Sequence, residues 1–165
     1  MTTAQLAPAI LIPLVAWRVY VRARRNIGRQ PFRRGRLLAR VVVYSVLATL
    51  IAVFAARHLP SLEAELSGLA GGALLAVAGL RLTRWEMTPE GNFYTPNAFL
   101  GIGLTLLFVG RIVYRFTALF AVPSAAGPGA PQLFQNPLTL AIFGVTVGYY
   151  IAYTAGVLAR GRRVA

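Results

Sequence analysis

Arg18–Arg40 reads RVYVRARRNIGRQPFRRGRLLAR, and nine of its residues are arginines. The chain turns apolar almost at once on either side. A basic tract between two apolar runs is a topology signal: it stays on the cytoplasmic face while its neighbours enter the bilayer. Gly28 and Pro31 interrupt the tract, so it does not read as one continuous helix. Close to an anionic leaflet each arginine adds about 1 kcal/mol of attraction. Arg22, Arg24, Arg25, Arg29, Arg33, Arg34 and Arg36 are therefore read as anchors to anionic lipid.

Composition supports a membrane setting. The 165 residues are 57% hydrophobic and only 13% charged, against about 45–50% apolar in soluble domains. Mean hydropathy is +0.63. Net charge is +13, from seventeen arginines, four glutamates, no lysine and no aspartate. In a soluble chain that balance would suggest nucleic acid. Here the arginines abut apolar runs, so topology accounts for them and no nucleic-acid partner is expected. Without cysteine the chain has no disulfide, thiolate metal site or thiol redox chemistry of its own.

Working outward, five spans emerge. The first covers Leu6–Val21, with Pro8 in its first turn and Pro13 inside it. No positive charge precedes it, so it reads as a retained transmembrane helix rather than a cleaved signal. Trp17, Arg18 and Tyr20 form its inner interfacial edge. The second covers Leu37–Ala56 and is expected to end at Arg57-His58-Leu59-Pro60. The third covers Leu66–Leu82, with Ser61–Glu65 as a short helical lead-in. Its Gly68, Gly71, Gly72, Ala76 and Gly79 form a close-packing face. The fourth covers Ala98–Phe120. The fifth covers Leu138–Leu158, where Gly144, Gly148, Ala152 and Gly156 recur every four residues beside Tyr149, Tyr150 and Tyr153. That stripe suggests a homodimer or a membrane-protein partner. Five crossings place the N-terminus outside and the C-terminus in the cytoplasm. Fourteen of the seventeen arginines then lie inside, as the charge bias requires. The fold class expected is all-α, a five-helix membrane bundle forming one domain over residues 1–165, with a small cytoplasmic hairpin between helices three and four.

The hairpin is read from RLTRWEMTPEGNFYTPN, Arg81–Asn97. Thr88-Pro89-Glu90-Gly91 fits a four-residue turn with proline second and glycine last. Thr83–Met87 and Asn92–Thr95 would pair, setting Trp85 opposite Tyr94. Pro96 ends the strand and Asn97 caps the helix that follows.

From Glu90, Gly91, Tyr94, Asn97, Ala98 and Phe99 through Gly110, Arg111, Tyr114 and Arg115, the chain resembles the CcdC-like integral membrane proteins. Gly28, Arg29, Gln30 and Pro31 are similar to that family's first inner loop. The resemblance covers about half the chain. It implies a multi-span protein of a bacterial inner membrane, linked by name to cytochrome c biogenesis, with no established enzymatic activity. It supplies no catalytic residue, and without cysteine this chain cannot itself transfer thiols.

Candidate binding residues follow. Arg111 and Arg115 are four apart on one helical face. Arg111 lies about 21 Å from Asn97 along the helix, past the midplane, where an arginine costs roughly 2.5–3.5 kcal/mol. It needs a partner or a wet cavity. It reads either as an anion or headgroup site or as a residue bonding helix-end carbonyls while Arg115 snorkels. Glu63 and Glu65 are its natural partners. Tyr114 belongs to the same cluster. Glu86, Glu90, Tyr94 and Asn97 form a polar platform on the hairpin, with charge pairing to Arg29 or Arg33 as its structural reading. His58, the only histidine, is a weak haem signal without CxxCH or a second histidine. No Ser–His–Asp, HExxH, Walker or dinucleotide pattern is present, so neither cofactor nor metal is expected. The expectation is a non-enzymatic binding or assembly factor. The alternative is a small-anion or lipid-headgroup permease using Arg111 and Arg115. A membrane enzyme with a hidden polar site comes third.

Overall fold

The computed structural model describes residues 30–88, 91–121 and 136–163. Its elements are β1 (Gln30–Pro31), α1 (Arg34–Ala55), α2 (Leu59–Arg81), β2 (Arg84–Thr88), β3 (Gly91–Thr95), α3 (Ala98–Ala121) and α4 (Pro137–Arg163). The first expected span, Leu6–Val21, lies outside the described residues, so the structure describes four of the five helices expected. The segments Arg34–Ala55, Leu59–Arg81 and Pro137–Gly161 are each long and apolar enough to cross a membrane.

α4 is the axis. α2 lies along one side of it, while α1 and α3 lie on other sides and scarcely touch each other. The α2–α4 contact is parallel and made by glycine. A Cβ on Gly72 would strike the Val145 carbonyl and come within 2.7 Å of Tyr149 N. A Cβ on Gly148 would strike the Leu69 carbonyl and lie 2.8 Å from Leu69 Cα. Gly68 meets Ala141, and Gly144 meets Glu65, in the same way. Lipid tails supply no hydrophobic drive between helices, so close backbone approach of this kind is what holds them together. The stripe on α4 read as a contact for a second copy is thus packed against α2 of the same chain.

α2 takes in the expected lead-in Ser61–Glu65 and runs on into span three; what differs is the role of Pro60. Pro60 opens the helix at its first turn instead of closing the one before. Proline lacks an N–H that a first turn leaves unbonded anyway. The former lead-in and span three are therefore one helix. α4 runs on through Arg160. The Arg160 Nη1 donates to the Leu80 carbonyl at 2.9 Å, capping the far end of α2.

The hairpin forms in the expected register, Trp85 opposite Tyr94, with ring centroids 6.0 Å apart. Thr83 lies outside it. Its hydroxyl donates to the Gly79 carbonyl at 2.8 Å. β1 adds a third strand in the order β1–β3–β2, pairing Gln30 with Tyr94 and Pro31 with Phe93. Proline is tolerated there because β1 is an edge. This sheet gathers the start of α1, the end of α2 and the start of α3 at one end of the bundle, and Gly161 of α4 meets Phe32 there.

Candidate functional site

A cavity of about 400 Å³ lies between α1 and α3 against α4. It exists because both flanking helices pack on α4 and not on each other. Its sheet end is lined by Gln30, Arg40, Tyr94 and Asn97. Its far end is lined by Leu47, Phe108, Phe143 and Val147. From Asn97 to Phe108 along α3 is about 16 Å, so the cavity runs from the polar end of the bundle to the middle of the helix. One end is polar and the other apolar.

The walls are tyrosines locked to one another. Tyr44 stacks on Tyr150 at 5.4 Å between ring centroids, and Tyr149 stacks on Tyr153 at 5.6 Å. Tyr149 and Tyr150 meet edge to face at 5.5 Å. Several hydroxyls are used within the protein. Tyr150 OH donates to the Gly101 carbonyl at 3.1 Å and lies 2.9 Å from Thr105 Oγ1. Tyr153 OH donates to Thr83 Oγ1 at 2.9 Å, since the Thr83 proton is spent on the Gly79 carbonyl. Tyr94 OH donates to Gln30 Oε1 at 3.1 Å. Burial pushes the Tyr94 phenol up from its usual value, and the nearby Arg40 guanidinium pulls the other way.

Arg40 is the one charged side chain among the described residues lining the cavity. α1 carries it one turn before Tyr44, on the face turned to the cavity. Sequence reasoning missed it by absorbing it into the basic tract; its four-residue spacing to Tyr44 was the available signal.

The residues expected to form a site fall in three places. Tyr94 and Asn97 reach the cavity, and Asn97 also caps α3, its Oδ1 accepting from Phe99 N–H at 3.1 Å. Glu86 is exposed on β2. Arg33, Arg34 and Arg36 are exposed at the start of α1. Glu90, Arg22, Arg24, Arg25 and Arg29 lie outside the described residues.

Arg111, Tyr114 and Arg115 sit apart from the cavity. Arg111 Nη2 donates to Asn136 Oδ1 at 3.3 Å and its Nε to Thr139 Oγ1 at 3.4 Å. Its guanidinium lies 5.6 Å from the centre of the Tyr114 ring. Asn136 is the cap of α4, accepting also from Thr139 N–H at 3.3 Å. The expected pairing with Glu63 and Glu65 is corrected here. Glu63 is exposed on α2. Glu65 is fully buried, and among the described residues neither carboxyl oxygen has a hydrogen-bond partner. The reason is helical phase: Glu65 lies on the α2 face that packs on Gly144. His58 is exposed just before α2, and no cluster among the described residues could hold a metal ion.

A family model described as CcdC protein matches residues 3–165. The chain is similar to Protein csk22 of Bacillus subtilis (strain 168), 26% identical over 166 residues, which cover 98% of this chain and 90% of that protein. No solved structure matches.

Proposed function

The chain belongs to the CcdC family, and from that premise we propose that it is a non-enzymatic, multi-span membrane protein that works by holding an amphiphilic molecule between α1 and α3. The cavity carries this reading: polar at the sheet end, apolar toward mid-helix, and walled by side chains already bonded to each other. Five crossings, starting with Leu6–Val21, would put the N-terminus outside and the sheet in the cytoplasm. In support, Arg33, Arg34, Arg36, Arg40, Arg81, Arg84 and Arg160 all belong to the sheet end of the elements described. The family name ties the group to cytochrome c biogenesis. An assembly role there, with a membrane-protein partner, belongs to the proposal.

Ile102 lines the cavity, whereas Leu107 is exposed on the same helix. Native mass spectrometry of protein extracted with its own lipids should find a retained amphiphile. Ile102→Trp should remove it, and Leu107→Trp should leave it in place. Retention by both variants would defeat the reading.

A second reading has one observation in its favour. Arg111 bonds the cap at the start of α4, where the helix dipole is also positive, so an anion would find two favourable fields. This is the small-anion permease, with Arg115 one turn on. An anion held there would survive Ile102→Trp, so the same variant separates the readings.

A further inference from the structure

We infer that Arg40 selects the ligand's headgroup, and that the ligand is an amphiphile bearing an anionic group such as a phosphate. This rests on the cavity reading above and adds charge and orientation to it. The cavity offers a guanidinium and no carboxylate among its described lining residues. No described residue forms an ion pair with Arg40, although its field reaches Tyr94. A guanidinium forks onto a phosphate or carboxylate through two parallel N–H donors. Around it, Gln30, Tyr94 and Asn97 offer further polar atoms at the same end. Tyr94 is tied to Gln30, and Asn97 to the start of α3, so these groups stand in place before any ligand arrives.

Orientation follows from the opposite end. Leu47, Phe108, Phe143 and Val147 favour an apolar chain, and the Thr146 hydroxyl among them is spent on the Ile142 carbonyl. The headgroup therefore lies against the sheet and the tail points toward mid-helix. That is the attitude of a lipid in the leaflet on the sheet side. Among the described residues α1 and α3 scarcely touch, which leaves a way for such a chain to enter sideways. A free small anion would meet the same guanidinium but leave the apolar half unfilled.

The test uses the full chain in nanodiscs of phosphatidylcholine with phosphatidylglycerol as the anionic probe, read by native mass spectrometry of the retained lipid. The wild type should favour phosphatidylglycerol. Arg40→Gln should lower that preference about tenfold or more, while phosphatidylcholine is still retained. Arg40→Lys should restore part of it. Glycerol phosphate at millimolar concentration should not compete. Equal retention of the two lipids by the wild type, or an unchanged preference in Arg40→Gln, overturns the inference. Competition by glycerol phosphate overturns it too, in favour of a small anion. Because the chain has no cysteine, cysteines placed at Leu14 and Ile102 report whether the first apolar segment fills the cavity instead. A quantitative crosslink there would also overturn it. If Ile102→Trp expels all lipid while Arg40→Gln changes nothing, the cavity reading stands and the headgroup inference alone falls.

Discussion

The two sides of α4 solve the packing problem in opposite ways. Toward α2, glycines face carbonyls and the backbones nearly touch. Toward α1 and α3, tyrosines hold the helices off and leave a cavity of about 400 Å³. The tight side leaves no space for a ligand. The open side is lined at one end by Gln30, Arg40, Tyr94 and Asn97, and its walls are braced by ring stacking and hydroxyl bonds. A membrane helix pair needs a close approach or a polar bridge to stay together, and this chain assigns one device to each side. Rigidity on the first side lets the second remain hollow.

The contrast can be broken most forcefully at Gly72. Gly72→Ala forces a methyl into the Val145 carbonyl and against Tyr149 N. It should lower stability by about 3 kcal/mol, read as a fall in the unfolding midpoint in mild detergent. Gly110, where an added Cβ would meet no described residue within 4 Å, should accept alanine with no loss. If the two variants behaved alike, the close approach would not be what holds α2 to α4.

Glu65 tests the same side from within. Its buried carboxyl has no hydrogen-bond partner among the described residues, and such a group is costly in a low-dielectric setting. Glu65→Leu, of similar volume, should raise stability by about 1–3 kcal/mol. A drop instead would mean that the carboxyl has a partner in the bilayer. The smallest effect is expected on the open side. Tyr150→Phe removes the bonds to Gly101 and Thr105 and should cost about 0.6–1.5 kcal/mol. A loss as large as that of Gly72→Ala would show that the tyrosine walls, and not the glycines, carry the bundle.

How far the sequence could be read follows the same division. Spacing alone exposed the glycine face of α2 and the four-residue stripe of α4, because close approach demands small residues wherever it occurs. It could not say whose backbone comes close, and here it is the chain's own. The hairpin was legible from Thr88-Pro89-Glu90-Gly91 and the Trp85–Tyr94 pair, since turn chemistry and cross-strand aromatics are local. β1 was not, because two residues inside an arginine tract carry no strand pattern. The cavity was illegible for a deeper reason: it arises from two helices failing to meet, which no local pattern encodes. Tyr149, Tyr150 and Tyr153 stand out beside the stripe, yet Arg40 reads only as one more charge of the basic tract. Arg111 reads from the sequence as needing a partner. Its acceptors, Asn136 and Thr139, are neutral, and a search for opposite charge passes over them.

The parallel course of α2 and α4 bears on how the protein is made. Everything between the two helices, hairpin and α3 included, leaves the ribosome before α2 can meet the helix that seals its glycine face. Nothing earlier in the described chain offers an equal contact. The arrival of α4 therefore closes the glycine face of α2, and a nascent product stopped short of Pro137 lacks the contact that the described chain gives that face.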